Sequence, residues 1–192
     1  MKDINILIVG VGGQGTLLAS VLLGGLAMKH GMDVKLSEVH GMAQRGGSVV
    51  THVRMSENPV CAPLIDKGCA DIILAFEQLE ALRYLDYLKP GGKIFVNVQK
   101  IMPMTVLTGS AKYPDGSVEL LESKSADVTA VDALAVAEEL GNIKTVNVIM
   151  MGVLSHALDF SERDWMHVIE ENVKPKFIEI NKAAFEKGRA LV

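Results

Sequence analysis

The chain opens on a short run from Ile4 to Val9, apolar but for Asn5, with no sustained alternation of polar and apolar positions. Such a run suits a strand buried on both faces of a sheet. It leads into Gly10-Val11-Gly12-Gly13-Gln14-Gly15. A stretch from about Gln14 to His30 follows, apolar almost all round through Leu17, Leu18, Val21, Leu22 and Leu26. That stretch predicts a buried helix. Gly24 and Gly25 weaken it by about 1 kcal/mol each and leave room for another backbone to come close. Gly31 is placed to stop it. Asp33 to Val39 predicts the next strand. Strand, loop, helix and strand in this order make a βαβ unit, so a parallel sheet with a right-handed crossover is expected.

Further on, Ser48 to Arg54 and the apolar Asp71 to Phe76 predict strands, and Glu77 to Leu88 a helix. Lys89-Pro90-Gly91-Gly92 breaks the chain before another strand, Ile94 to Val98. Pro103, Pro114 and the Asp115-Gly116 turn mark an irregular region, read as short strands with a hairpin about that turn. Val131 to Leu140 and Thr145 to Leu158 predict helices. Ser161 with Asp164 resembles a capping-box start, and Trp165, Val168 and Ile169 give the next helix one apolar face. Pro175 interrupts, and a last helix runs to about Arg189. With no repeat, low-complexity tract or linker, residues 1–192 read as a single domain. The expected fold is three-layer α/β/α, with a mostly parallel central sheet and a Rossmann-like start.

Composition narrows the function. Hydrophobic residues make up 49% and charged residues 22%, which argues against disorder. The net charge is −4 and basic residues are scattered, so no nucleic-acid partner is expected. The apolar stretch Leu17 to Met28 is too short to span a bilayer and follows a strand and a glycine loop. No membrane partner is expected, and the chain reads as cytoplasmic. Cys61 and Cys69 fit no common metal or redox spacing and read as reduced cysteines with packing roles. A cysteine-held iron–sulfur cluster usually takes four thiolates. No His, Cys and carboxylate set has metal-ligand spacing. His52 and His156 read as packed or half-exposed, and the methionines as core filler.

Two segments carry candidate chemistry. Gly10, Gly12 and Gly15 match GxGxxG between a strand and a helix. The first glycine permits a tight turn, the second lets backbone approach a phosphate, and the third allows close helix packing. Free N–H groups at the helix start suit an anion. Glu38 lies where a dinucleotide site places its ribose-binding acid. The loop equally suits a structural turn, or contact with a partner protein. The second segment is Ser37-Glu38-Val39-His40-Gly41-Met42-Ala43-Gln44-Arg45-Gly46-Gly47-Ser48. Arg45 offers a planar fork to a carboxylate or phosphate. His40 is able to donate, accept or shuttle a proton, and Gly46-Gly47 bring backbone N–H groups to an anion. The other reading is a surface loop with a structural Arg45–Glu38 pair. Both segments leave the carboxyl ends of strands, so they are expected to face one another. No catalytic acid–base set stands out.

Gly10-Val-Gly-Gly-Gln-Gly15 before an apolar helix resembles the opening of the gamma subunit, or gamma domain, of 2-oxoacid:ferredoxin oxidoreductases. Ser37-Glu-Val-His-Gly-Met-Ala-Gln-Arg-Gly-Gly47 is similar to the indolepyruvate branch of that family, in its beta subunit. The motifs are concentrated in residues 10–50, while element order matches over nearly the whole chain. The resemblance implies CoA-dependent oxidative decarboxylation of an aryl pyruvate. The products are an acyl-CoA, carbon dioxide and reduced ferredoxin. It also implies a large partner subunit that carries thiamine diphosphate, magnesium and iron–sulfur clusters, and an isolated chain that is inactive. Ferredoxin is met through the complex. Gly12, Gly13, Gln14 and Gly15 would form an anion loop for coenzyme A phosphates or a substrate carboxylate. Arg45 would bind the anion, with His40 and Gln44 in support. The same residues would otherwise pack against the large subunit. Without its partner the chain is expected to self-associate as a homodimer. Two rival readings are a free-standing NAD(P)-dependent reductase and a nucleotide-binding module.

Overall fold

The computed structural model describes residues 3–41, 46–124 and 127–192. Strands β1 (Ile4–Val11), β2 (Asp33–His40), β3 (Ser48–Ser56), β4 (Ala70–Ala75), β5 (Leu88–Asn97) and β6 (Val128–Val131) form one sheet in the order β2-β3-β1-β4-β5-β6. β1, β4, β5 and β6 are parallel neighbours. β3 runs antiparallel to both β1 and β2. The sheet is mostly parallel, as expected, but the first βαβ unit is split: β1 and β2 point the same way with β3 between them. The cause lies in the side chains. β3 buries both faces through Val49, Val50, Val53 and Met55, so it takes an inner place. β2 leaves Leu36 and Val39 exposed and takes the edge.

Each face of the sheet is covered. Ile6 and Ile8 turn towards α1 (Thr16–Lys29), α5 (Ala133–Glu139), α6 (Val146–Leu154), α7 (Glu162–Asn172) and α8 (Ile178–Arg189). Leu7 and Val9 turn the other way, towards α2 (Gln78–Arg83) and α4 (Ser117–Lys124). This alternation is why β1 is apolar on both faces from Ile6 to Val9. Every residue of α6 is buried, and its apolar sequence on all sides follows from that. α6 and α8 touch backbone to backbone. A Cβ on Gly152 would lie 2.2 Å from the Phe185 carbonyl oxygen, and one on Gly188 2.0 Å from that of Ile149. The approach expected at Gly24 and Gly25 involves side chains instead, Leu36 at 3.4 Å and Val168 at 3.3 Å. α1 stops at Gly31, whose φ is +71°. Ser161 caps α7 by accepting from the Asp164 N–H at 3.2 Å. Behind that cap, Trp165 is wholly buried between Phe160 and Phe185.

Several local expectations are corrected. No hairpin forms about Asp115-Gly116. The region holds α3 (Met104–Leu107), and Gly116, with φ +66°, leads into α4. The helix read from Val131 begins at Ala133, where Asp132 caps it, and β6 precedes it. A four-residue strand carries too little periodicity to stand out. Pro90-Gly91-Gly92 does not end the chain's extension: Ala70 pairs with Leu88 and Ile72 with Lys93, so β5 bulges there. Glu77–Leu88 is shorter than expected as a helix, with α2 ending at Arg83 before a tight turn at Leu85–Tyr87. Cys61 and Cys69 are free but exposed, so neither fills a packing role. His52 is buried, with Nδ1 accepting from the Ile65 N–H at 3.1 Å. Burial lowers its pKa and holds it neutral. Among the described residues no helix is long and apolar enough to cross a membrane.

Candidate functional site

The strand directions bring the carboxyl ends of β1, β2, β4, β5 and β6 and the start of β3 to one edge of the sheet. The connection from β1 returns through α1 on one face, and that from β4 through α2 on the other. The β1–β4 boundary is therefore a switch point, where open α/β sheets form a crevice. The glycine loop lies there. A cleft of about 470 Å³ is lined by Gly13, Gln14, Gly15, Gln99, Leu134, Ile143, Lys144 and Val146.

Each loop residue has a definable part. Gly10 sits under the loop: a Cβ there would lie 2.9 Å from Gln14 Oε1 and 3.3 Å from Phe76 Cβ. The Gly12 N–H donates to the Gly47 carbonyl at 2.9 Å. Gly13 has φ +102° with open space beside its Cα, and Gly15 has φ +84°. The N–H groups of Gly13 and Gly15 meet no protein acceptor among the described residues. Gln14 lines the cleft, yet its amide is committed internally. Its Oε1 accepts from the Val11 N–H at 2.8 Å, and its Nε2 donates to the Phe76 carbonyl at 2.9 Å and to Gln99 Oε1 at 3.1 Å. Its part is to hold the loop against the ends of β4 and β5.

The second segment does face the first where it is described, through the Gly12–Gly47 bond and through Glu38. Glu38 Oε2 accepts from Thr51 Oγ1 at 3.0 Å and from Thr16 Oγ1 at 3.3 Å. Its carboxylate thus meets the positive end of α1. With β3 between β1 and β2, Glu38 stands two strands from β1 and is held by these hydroxyls. The reductase reading, which needs it at a ribose, finds no support. His40 is exposed, and its Nδ1 lies 3.6 Å from Glu38 Oε1. Gly46 is exposed with φ +76°. Gln44 and Arg45 lie outside the described residues, and so does the Arg45–Glu38 pair.

Sequence reasoning missed Gln99, Lys144 and Asn147. Gln99 follows a buried parallel strand by two residues, a placement that is itself a signal. Lys144 stands at the approach to an apolar helix, and no ion pair among the described residues engages it. Asn147, buried in α6, donates to the Gly15 carbonyl at 3.3 Å. Nothing in its local sequence announces that contact.

A second polar cluster braces the edge from the α2 side. Glu77 Oε1 accepts from Tyr113 Oη at 2.5 Å and from the Ile101 N–H at 3.1 Å, while Oε2 caps α2 at the Glu80 N–H. Glu80 accepts from Ser48 Oγ and Arg83 Nη1, each at 2.5 Å. Burial pushes the Glu80 carboxyl upward. Burial, with the Glu77 carboxylate beside it, also raises the Tyr113 phenol. These buried groups pin the start of β3, the end of β4 and the segment after β5 to one another.

Gly13, Gly15 and Lys144 line the cleft, with Leu134, Ile143 and Val146 as its apolar wall. One carboxylate already meets the helix dipole, so an anion here would rest on the Gly13 and Gly15 N–H groups and Lys144. Among the described residues no three His, Cys, Asp or Glu side chains are placed to hold a metal ion.

Comparison with known proteins agrees with this architecture. The chain is 46% identical over 193 residues to the indolepyruvate oxidoreductase subunit IorB of Thermococcus kodakarensis, covering 98% of this chain and 95% of the relative. The corresponding subunit of Pyrococcus horikoshii is 44% identical over 195 residues, again covering 98% and 95%. The gamma subunit of a keto/oxoacid ferredoxin oxidoreductase from Geobacter sulfurreducens superposes with a TM-score of 0.71 at 26% identity, covering 98% of this chain and 97% of that one. Residues 5–191 match the pyruvate ferredoxin/flavodoxin oxidoreductase family, and the chain belongs to it.

Proposed function

We propose that this chain is the small, gamma-type subunit of an aryl-pyruvate (indolepyruvate):ferredoxin oxidoreductase, and that its cleft holds phosphate groups of coenzyme A. The reaction takes carbon dioxide from a 2-oxoacid, passes the acyl group to the coenzyme A thiol, and delivers two electrons singly to ferredoxin. Thiamine diphosphate with magnesium and the iron–sulfur clusters supply the carbanion chemistry and the electron path from the larger partner. They do not fit this chain's own side chains. Cys61 and Cys69 are two thiols where a cluster takes four, and no metal-binding set lies among the described residues.

One observation carries the coenzyme A assignment. The cleft at the switch point is lined by Gly13 and Gly15, whose N–H groups meet no protein acceptor among the described residues, by Lys144, which no ion pair among those residues engages, and by an apolar wall. That combination suits a phosphorylated ligand with an apolar arm. The chain's part in catalysis is to bind and orient that ligand at the face it presents to the partner. Similarity to the indolepyruvate subunits over nearly the full length supports the substrate class.

The test uses the complex reconstituted with the large subunit. Lys144→Ala is expected to raise the KM for coenzyme A about tenfold, the loss of one charge-assisted bond to phosphate, while the KM for aryl pyruvate stays. An assembled complex with an unchanged coenzyme A KM sinks the cleft assignment. Activity from either chain alone sinks the subunit reading.

A further inference from the structure

Three side-chain amides meet beneath the cleft, and backbone groups decide which way each one points. Gln14 Oε1 accepts from the Val11 N–H, and its Nε2 donates to the Phe76 carbonyl. Asn97, wholly buried, accepts at Oδ1 from the Ala133 N–H at 3.1 Å and donates from Nδ2 to the same Phe76 carbonyl at 3.2 Å. A backbone N–H only donates and a carbonyl only accepts. Neither amide is free to turn over. Both therefore direct an NH₂ group at Gln99, and Gln99 Oε1 accepts from Gln14 at 3.1 Å and from Asn97 at 3.4 Å.

The third orientation follows from the first two. With its oxygen held by two donors, Gln99 turns its Nε2 away from them, and no protein acceptor among the described residues takes that group. Gln99 is half-buried and lines the cleft. We infer that Gln99 is a specificity-determining residue of this site: the Gln14–Asn97 pair fixes its amide nitrogen as a donor facing the cleft, where it binds a phosphate oxygen of the ligand. The inference rests on the proposed coenzyme A cleft and adds to it a residue and a polarity. Gln99, Lys144 and the glycine N–H groups all donate, so the cleft selects acceptor-rich, anionic groups and turns away ligands that present donors.

Gln99→Glu provides the test. A glutamate at this position keeps an oxygen for Gln14 and Asn97 to bond, so the floor of the cleft is preserved. It replaces the outward donor with a carboxylate. Gln99→Met keeps the volume and removes both hydrogen-bonding functions. In the reconstituted complex, Gln99→Glu is expected to raise the KM for coenzyme A by tenfold or more, and Gln99→Met by a smaller factor. The KM for aryl pyruvate is expected to hold, and thermal melting of each variant reports whether the fold is kept. Lys144→Ala is measured beside them. If Lys144→Ala raises the coenzyme A KM and Gln99→Glu leaves it unchanged, the role given to Gln99 is overturned while the cleft assignment stands. If neither variant moves it, both fall. If Gln99→Glu tightens coenzyme A binding, the inferred polarity is reversed and the inference fails.

Discussion

Asn147 Nδ2 donates to the carbonyl oxygen of Gly15 at 3.3 Å, across 132 positions of sequence. A Cβ on Gly15 would lie 2.4 Å from that same nitrogen. The third glycine of the GxGxxG motif is therefore needed for two reasons. Its φ of +84° lies in the left-handed region, and the start of α6 leaves no room for a side chain. The close contact this glycine allows is with α6, an element nothing in the motif names.

Gly15→Ala should accordingly lose about 1–2 kcal/mol to the left-handed backbone and a further ~1–3 kcal/mol to the clash. Asn147→Gly in the same chain should return the clash component and leave the backbone cost. Urea unfolding of the two single variants and the double variant measures the coupling. Simple additivity would show that the contact does not limit residue 15.

Gly188→Ala is expected to be the harsher change. Its methyl group would lie 2.0 Å from the Ile149 carbonyl oxygen, a backbone atom within a wholly buried helix. α8 must move off α6, with a loss of about 3 kcal/mol or more. Gly25→Ala meets only side chains, Val168 at 3.3 Å and Asn172 at 3.8 Å, and gains helix propensity of about 1 kcal/mol. It should be near neutral or stabilising. Equal effects of the two substitutions in chemical denaturation would refute the backbone-contact account.

Asp164 predicts a pH dependence. Hydrogen bonds from Ser161 Oγ, then Lys29 and His30, hold its carboxyl well below the usual aspartate range. A folded pKa below the unfolded value of 3.8 contributes stability that is present above pH 3.8 and lost as pH falls through the folded value. Asp164→Asn should lower the melting temperature at pH 7 and flatten the acid limb of the melting curve below about pH 4. High salt should shrink the difference, because the carboxylate and its lysine lie near the surface. Parallel acid limbs for the variant and the parent chain would show that another group sets them.

Much of the fold was legible along the chain. Ile4 to Val9, Ser48 to Arg54 and Asp71 to Phe76 carry their burial in their own composition, and α1, α6 and α7 do so through apolar patterning and, for α7, its Ser161 cap. These are local signals, and the structure keeps them with shifts of a few residues at the ends. β6 and the bulge in β5 were not legible. Four residues hold too little pattern, and proline with two glycines looks the same in a bulge as in a loop.

The glycine loop, the acid at residue 38 and the family-like segment around His40 were determined by the sequence alone, because each depends on residue type and short spacing. What they meet was decided only by the tertiary structure. Inserting β3 moves Glu38 away from β1, and the hydroxyls of Thr16 and Thr51 then hold its carboxylate. Gln14 turns inward, because the ends of β4 and β5 supply its partners. Gln99, two residues past β5, and Lys144, just before α6, reach the cleft from separate segments that only the fold brings together. A motif fixes backbone conformation over a few residues. A binding polarity is set by which donors and acceptors from distant segments have already satisfied one another, and only the folded chain settles that.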